Sequence, residues 1–575
     1  FQQVGTLLAI YVQPQWPKVC LLALLLASAT GLQLAEPRVL GLFIDATAAQ
    51  SPLGALFELA LIFLLVALAG RGVAAGVAYV TEDVGWTATN RLREDLVLHC
   101  LRLDRSFHSA HTPGSLIERV DGDVTALTTL FSQIVLQVLG TGAMIVGVAV
   151  VLLIEDWRIG LPLTGYALVS IALLKRVQGI GVPHFRAARQ LAADISGFLT
   201  ERLVGTEDLR ANGAVGYTAQ QLERLLESLR RVARKSEVLG SAVATASVAL
   251  YAVSVALVFG LGAWLLQAGA ITVGMIYVIY RYNDLLTSNL RSTSQQLDEL
   301  QRAMASLQRV NELYCTTSRI RDGRGAALPE GPLAIDLSDV SFAYDEGQPV
   351  LERVSLHLDS GRVLGLLGRT GSGKTTLGRL LFRFLDPTAG AVCLGGVDVR
   401  ESKLSALRQR IALVTQEVQL FHGSLRDNLT FFDAGIADSR VTQAMHTLGL
   451  EDWLRLLPGG LDAEITPGRL SAGEAQLLTL ARAYLKSPGL VILDEASSRL
   501  DPLTARLIER AIRELLTGCT AIVIAHRRET VERVDEVAIL EAGRIVEHGE
   551  RGRLAADPQS RFHHLRRAGI EEVLA

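Results

Sequence analysis

Long stretches without charged side chains lie almost entirely before residue 290. Runs of near-membrane length cover residues 19–34, 55–76, 134–154 and 159–174, and only the second contains charges, Glu58 and Arg71. From Val238 to Tyr280, 43 residues follow one another without a charge, and Gln267-Ala268-Gly269 supplies a turn near their middle. About 20 apolar residues are needed to cross the hydrocarbon core of a bilayer. We therefore predict six transmembrane helices rather than the core helices of a soluble protein.

The loops between these runs predict their orientation. The loop between helices two and three carries five Lys and Arg residues, and the loop between helices four and five carries eleven. The three opposite loops offer only Arg38 and Arg158. Because basic residues accumulate on the cytoplasmic side, we place both long loops and both termini in the cytoplasm.

The two long loops keep a helical pattern, as in residues 199–229, so membrane helices should continue into the cytosol. Each loop contains a break, at Pro113-Gly114 and at Ala211-Asn212-Gly213. We expect short transverse helices at these breaks.

The second half of the chain has a different sequence pattern. Residues 316–332 lose periodicity and are rich in Gly, Arg and Pro, which is typical of a linker. From Leu333 short β-like runs alternate with helical ones, the pattern of an α/β domain. The net charge of −3 gives no support for nucleic-acid binding, and we predict no nucleic-acid partner.

The strongest chemical motif is Gly368-Arg369-Thr370-Gly371-Ser372-Gly373-Lys374-Thr375, which fits GxxxxGK[ST]. It follows an apolar strand, residues 363–367, and precedes a helix that should begin near Thr376. The glycines let backbone N–H groups surround phosphates, Lys374 reaches the β- and γ-phosphates, and Thr375 offers a hydroxyl to Mg²⁺. We therefore predict ATP and Mg²⁺ as cofactors.

A second apolar strand, residues 490–493, ends in Asp494-Glu495. Beside a P-loop, the first carboxylate suits a Mg²⁺ ligand and the second can polarise an attacking water. Alone, this pattern is also explained by the start of a helix. Together, the patterns predict a multi-domain chain: an all-α six-helix transmembrane domain (residues 1–315), a linker (316–332) and an α/β P-loop ATPase domain (333–575).

With these motifs the chain resembles a half-transporter of the ABC exporter family, and the resemblance covers essentially its whole length. Tyr344 resembles the aromatic residue that stacks on adenine, and Gln416 the glutamine that contacts Mg²⁺ and the attacking water. Leu470-Ser471-Ala472-Gly473-Glu474-Ala475-Gln476 resembles the family signature LSGGQ, and His526 matches the histidine that holds the γ-phosphate.

The resemblance thus implies a site of three parts. The catalytic residues would be Glu495, His526 and Gln416, and the metal ligands Thr375, Gln416 and Asp494. The nucleotide would be bound by Tyr344, Gly368, Arg369, Thr370, Gly371, Ser372, Gly373, Lys374, Thr375, Thr376, Ser471, Gly473 and Glu474.

The signature departs from the family pattern, with Ala472 for a glycine and Glu474 for the glutamine. Ser471 and Glu474 also have the spacing of a capping box that opens a helix. In the family the P-loop of one ATPase domain faces the signature of another. An altered signature beside intact hydrolytic residues resembles one member of an asymmetric pair, so we favour a heterodimer with a second ABC half-transporter over a homodimer.

In the sixth membrane run, Tyr277, Arg281 and Asp284 share one helix face. They predict either an Arg281–Asp284 ion pair or a helix end near the cytosol, or alternatively a contact with cargo. The resemblance implies a multi-pass protein of the plasma membrane, in contact with membrane lipid, with its ATPase domain in the cytoplasm. We expect ATP-driven export of amphipathic small molecules, lipids or peptides. An importer on the same fold and a membrane-anchored regulatory ATPase are the alternatives, and the transported substrate is not encoded in any motif.

Overall fold

The computed structural model describes residues 9–129, 135–344, 347–415, 418–466, 470–494, 502–525 and 528–568. The chain forms two compact units. The first comprises Phe1–Arg102 and His111–Thr317, and the second Leu103–Ala110 and Ser318–Ala575. A short piece of the first cytoplasmic loop therefore packs with the second unit.

The described residues up to 315 are mainly helical. The helices are α1 (Trp16–Ala48), α2 (Leu53–Arg102), α3 (Arg105–Ala110), α4 (Pro113–Ile117), α5 (Val124–Thr129), α6 (Val135–Glu155), α7 (Trp157–Val204), α8 (Thr206–Ala211), α9 (Val215–Gln267) and α10 (Val273–Cys315). A π-helical turn, Glu118–Asp123, joins α4 to α5, and α3 is the helix that packs with the second unit.

Three helical segments of the described chain are long and apolar enough to cross a membrane: Gln13–Ala48, Leu53–Arg102 and Val215–Gln267. A shorter apolar helix covers Gly140–Glu155. The remaining charge-free stretches lie on α7 and α10, and the count of six spans stays a prediction.

The structure contains the predicted turn within the long uncharged run and short helices at the two predicted loop breaks. Helix α9 ends at Gln267, Gly269 has φ +67°, and α10 begins at Val273, so the turn in the 43-residue run lies where its sequence indicates. Short helices α4 and α8 stand at the two predicted breaks. Helix α4 begins at Pro113, where the missing N–H of proline costs no hydrogen bond.

The first unit has a packed core between α6, α7, α9 and α10. Tyr282 of α10 is fully buried in it, and its hydroxyl donates a hydrogen bond to the carbonyl oxygen of Leu34 in α1, 2.7 Å away. Helices α1 and α10 also approach closely, because a Cβ at Gly274 would lie 2.2 Å from the carbonyl oxygen of Gly41. Many large apolar side chains of these helices are instead exposed, Phe57 by 73%, as expected of surfaces that face lipid.

The second unit is an α/β domain. Its strands are β1 (Ile335–Phe342), β2 (Leu351–Leu358), β3 (Val363–Leu367), β4 (Ala389–Leu394), β5 (Val397–Asp398), β6 (Ile411–Val414), β7 (Gly423–Ser424), β8 (Glu464–Ile465), β9 (Leu490–Asp494), β10 (Thr520–Ile524), β11 (Glu536–Glu541) and β12 (Arg544–Glu550). Its later helices are α11 (Lys374–Leu381), α12 (Leu404–Arg410), α13 (Leu425–Thr430), α14 (Asp438–Thr447), α15 (Glu451–Leu456), α16 (Ala472–Leu485), α17 (Pro502–Leu516), α18 (Arg528–Val531), α19 (Arg551–Ala556) and α20 (Arg561–Ala568).

The main sheet has the strand order β12-β11-β3-β10-β9-β6, and β3, β6, β9, β10 and β11 pair in parallel. These strands are nearly continuous apolar runs, because both faces of a parallel sheet are covered. Ile524 of β10 is in register with Leu366 of β3 on one side and with Asp494 of β9 on the other. The carboxyl ends of these strands therefore meet at one edge, next to the loop that follows β3.

Candidate nucleotide-binding site

The P-loop motif forms the connection from β3 to α11. Gly371 and Gly373 have φ +82° and +107°, in the left-handed region that favours glycine. A Cβ at Gly368 would lie 2.2 Å from the carbonyl oxygen of Leu540, so only glycine fits there. Helix α11 begins at Lys374, slightly before the predicted start near Thr376, because Gly373 is its N-cap residue.

Two buried polar groups lie inside this loop. Lys374 is 6% exposed, and its Nζ donates hydrogen bonds to the carbonyl oxygens of Gly368 (2.5 Å) and Arg369 (3.0 Å). The hydroxyl of Ser372 is buried and has no hydrogen-bond partner among the described residues. A buried hydroxyl without a partner is costly unless the loop binds a polar group, so the loop fits a phosphate ligand. Arg369 and Thr370 are exposed on the same loop.

The predicted metal ligands Thr375 and Asp494 lie next to each other. The Thr375 hydroxyl donates to Asp494 Oδ2 over 3.3 Å, which links the start of α11 to the end of β9. A hydroxyl and a carboxylate are hard oxygen donors, and Mg²⁺ commonly binds one or two such protein ligands together with phosphate oxygens. These two residues therefore fit a Mg²⁺ ion, which would neutralise phosphate charge when bound.

Tyr344 lies beside the helix that carries the P-loop lysine. Its hydroxyl is 3.1 Å from Thr376 Oγ1 and accepts a hydrogen bond from Arg379 Nη1 over 2.9 Å. Phe342 meets its ring edge-on, with the centroids 5.0 Å apart. The side chain remains 45% exposed, so a fixed aromatic surface is available for a base.

The signature segment opens helix α16 through a capping box, as its sequence predicts. Ser471 is the N-cap residue, and its Oγ accepts a hydrogen bond from the backbone N–H of Glu474. In return, Glu474 Oε2 accepts from the Ser471 backbone N–H (2.8 Å) and from the Ser471 hydroxyl (2.7 Å). Gly473 is buried, whereas Ala472 is exposed at the first turn.

The second carboxylate oxygen of Glu474 has a partner that sequence reasoning did not find. Trp453 of α15 donates its indole N–H to Glu474 Oε1 over 2.9 Å. Burial raises the pKa of the Glu474 carboxyl, but the hydrogen bonds from Trp453 and Ser471 outweigh it, so the pKa lies below its ordinary value. Glu474 is therefore a carboxylate at neutral pH.

Three predicted residues lie outside the described residues, namely Gln416, Glu495 and His526. The strands that precede them in sequence, β6, β9 and β10, end at Val414, Asp494 and Ile524. These ends are adjacent through the parallel pairing of the three strands. The catalytic roles of Gln416, Glu495 and His526 stay predictions.

In the membrane unit, the predicted Arg281–Asp284 ion pair is present. Arg281 Nη1 is 3.0 Å from Asp284 Oδ2, and Tyr251 of α9 donates its hydroxyl to Asp284 Oδ1 over 3.3 Å. Tyr280 Oη lies 3.4 Å from Tyr251 Oη. These residues form a polar cluster on α9 and α10, which we call the α9–α10 polar cluster.

Comparison with known families identifies the chain. Residues 19–290 match the model of the ABC transporter transmembrane region, and residues 351–498 match the model described as ABC transporter. A lipid A-core flippase of Chromohalobacter salexigens is 31% identical over 568 residues, which covers 95% of this chain and 94% of the flippase.

This chain belongs to the ABC transporter family.

Further relatives cover most of this ABC transporter. An ATP-dependent lipid A-core flippase of Thiobacillus denitrificans is 31% identical over 507 residues, 86% of each chain. An uncharacterized ABC transporter ATP-binding protein of Bacillus subtilis, YknV, is 28% identical over 511 residues, 86% of this chain and 83% of the relative.

The order of a membrane region followed by an ATP-binding region is that of an exporter-type half-transporter. The predicted family and fold class are therefore confirmed, as is a multi-pass membrane protein with a cytoplasmic ATPase domain. ATP binding, hydrolysis coupled to transport, and dimerisation are general properties of the family.

Sequence reasoning did not find Arg379 or Trp453. For Arg379 a signal was present, since it lies three residues after Thr376 on α11 and so shares its helix face. For Trp453 there was none, because it is 21 residues from Glu474 on a different helix.

Proposed function

We propose that this chain is one half of a dimeric ABC exporter that hydrolyses ATP with Mg²⁺ to move amphipathic small molecules, lipids or peptides. Residues 1–315 would form its transmembrane domain, residues 316–332 a linker and residues 333–575 its ATP-binding cassette. The hydrogen bond from Thr375 to Asp494, beside the P-loop, is the observation that best supports ATP hydrolysis in this proposal.

In this proposal the P-loop, from Gly368 to Thr375, together with Thr376, would bind the phosphates, and Tyr344 would stack on adenine. Glu495 would orient the attacking water. Gln416 would contact both that water and Mg²⁺, and His526 would hold the γ-phosphate. Hydrogen-bond donors fixed where charge develops are the main way such sites accelerate phosphoryl transfer.

A lipid is the cargo class that the relatives favour, because several of them are ATP-dependent lipid A-core flippases. The α9–α10 polar cluster would contact the polar part of such a molecule. Arg281 and Asp284 keep 37% and 36% of their side chains exposed, so each retains capacity for a further hydrogen bond. Charged groups within membrane helices pair with one another, as these two do, or mark the pathway of a polar substrate or ion.

The altered signature supports a heterodimer over a homodimer. Exposed Ala472 adds a methyl group where a phosphate-binding backbone should come close, and Glu474 adds a negative charge. Paired with a second half-transporter of regular signature, this chain would contribute its P-loop, Asp494 and Glu495 to the productive site.

Transport and its direction can be tested in vesicles that contain the purified protein, a fluorescent phospholipid and ATP on one side only. We expect lipid-stimulated ATPase and loss of dithionite-accessible fluorescence only when the ATP-binding domains face the ATP. Movement of lipid toward the ATP side would indicate an importer. ATPase without any lipid movement, across phospholipids and peptides alike, would indicate a regulatory ATPase.

The composition of the dimer can be tested with the signature. Purified alone, the chain should hydrolyse ATP slowly, because two altered signatures would face each other's P-loops. Ala472→Gly combined with Glu474→Gln should raise this rate, since a closer backbone and a lost carboxylate both favour the triphosphate. Fast ATPase from the unmodified chain alone, unchanged by the double substitution, would show that the protein is an ordinary homodimer.

A further inference from the structure

Both carboxylate oxygens of Glu474 accept hydrogen bonds from residues of the same chain. One oxygen accepts two hydrogen bonds from Ser471, at 2.8 and 2.7 Å, and the other accepts the Trp453 indole N–H at 2.9 Å. The side chain thus folds back over the first turn of the helix it opens.

Trp453 is well suited to hold this carboxylate in place. Its ring is half-buried and packs against the hydrophobic core of the second unit, which fixes the direction of the indole N–H. An indole N–H can only donate, so it matches a carboxylate, which can only accept. Hydrogen bonds to a charged acceptor are about twice as strong as those between neutral groups.

The Ser471 hydroxyl and backbone N–H are donors that an incoming phosphate would need. In this chain a carboxylate already occupies both, and it brings a full negative charge to a position where the helix otherwise offers positive potential. A phosphate approaching this turn therefore meets occupied donors and a like charge.

We infer that Trp453 is a positioning residue that keeps the Glu474 carboxylate on Ser471, so that this signature binds the γ-phosphate of a facing ATP weakly. The inference rests on the proposed function in one respect, that a second ATP-binding domain presents its nucleotide to this signature. The weak binding of the γ-phosphate is thereby assigned to a particular contact between α15 and α16 and not to the signature residues alone.

The test is a double-mutant cycle on the full-length chain in lipid nanodiscs, with Trp453→Phe, Glu474→Gln and the combination of both. Phe keeps an aromatic ring and removes the N–H, and Gln keeps the length and removes the charge. The KM for ATP and kcat are measured for each, both for the chain alone and with any half-transporter that copurifies with it.

Glu474→Gln should lower the KM for ATP by roughly tenfold, as expected when one charge a few ångströms from a phosphate is removed at a partly screened site. Trp453→Phe should lower it by about threefold, because the carboxylate is then held by Ser471 only. In the Glu474→Gln background, Trp453→Phe should have almost no effect, since its action passes through the charge.

Asp427→Asn is the matched control. Asp427 forms the same kind of capping box with Ser424 on α13, so its loss weakens a helix start without touching the signature. This variant should lower the melting temperature and leave the KM for ATP unchanged.

Equal effects of Trp453→Phe in both backgrounds, or a fall in kcat with unchanged KM, would overturn the positioning role and leave Trp453 a packing residue. A failure of the proposed function would give a different experimental result. If the proposed site does not hydrolyse ATP, Glu495→Gln would keep the normal ATPase rate. The Trp453–Glu474 coupling is measured separately, and only in variants that hydrolyse ATP.

Discussion

The aromatic ring of Tyr344 should supply a measurable share of the affinity for ATP. Stacking of a base on an aromatic side chain is worth about 1–3 kcal/mol. Tyr344→Ala should therefore weaken ATP binding by about 2 kcal/mol, or roughly 30-fold in Kd. The ring is 45% exposed and held edge-on by Phe342, so it needs little rearrangement to accept adenine.

Tyr344→Phe separates the ring from its hydroxyl. The hydroxyl accepts a hydrogen bond from Arg379 and lies beside Thr376, and both contacts hold the ring in place. Loss of such partly solvated hydrogen bonds costs about 0.5–1 kcal/mol, so the Kd should rise by about threefold. Tyr344→Trp should bind ATP about as well as the unmodified chain.

Affinity is best measured by equilibrium binding of MgATP to the full-length chain carrying Glu495→Gln, in which turnover should be slow. Tripolyphosphate provides a matched ligand, because it has the phosphates but no base, and its affinity should not change in Tyr344→Ala. Tyr217→Ala is a matched variant, since Tyr217 is an exposed tyrosine of α9 in the other unit. Equal weakening of ATP and tripolyphosphate by Tyr344→Ala would refute stacking and assign Tyr344 to the support of α11.

Three further outcomes are expected. Glu495→Gln should retain ATP binding in a titration and slow steady-state ATPase by orders of magnitude, because the contacts of Lys374 are untouched; normal turnover would contradict its role. Asp123→Asn should lower the unfolding free energy of the first unit by about 2 kcal/mol, measured by thermal unfolding in detergent, since Asp123 is 4% exposed but its partner Arg309 is 48% exposed and screened by solvent; unchanged stability would show that the pair contributes nothing. Burial raises the pKa of the Asp104 carboxyl, but hydrogen bonds from Ser106, Arg319, Phe107 and Ser318 outweigh burial and lower this pKa. The ionised carboxylate therefore stabilises the folded state above the ordinary pKa of about 3.9, and this stabilisation is lost as the pH falls through the lower pKa of the folded state. The destabilisation by Asp104→Asn should therefore be larger at pH 7 than at pH 3, and equal loss at both would contradict this.

Features written in contiguous residues were predictable from the chain alone. Hydrocarbon excludes charge, so uncharged runs indicate membrane helices whatever their partners are. The P-loop is likewise local, because its glycines, Lys374 and Thr375 form one connection between β3 and α11. The capping box of Ser471 and Glu474 spans a single helical turn and was predictable for the same reason.

Contacts between distant residues depended on the tertiary structure. The Trp453–Glu474 hydrogen bond joins two helices 21 residues apart, and the Asp104–Arg319 hydrogen bond joins a cytoplasmic loop to the linker across 215 residues. No local pattern marks either pair, because each depends on how whole elements pack. Helix α16 buries nearly all of its side chains, and α15 packs a half-buried face with Trp453 and Leu454 against the same core. Only the packing of those faces decides which donor reaches which carboxylate, because a hydrogen bond is lost over a displacement of about one ångström.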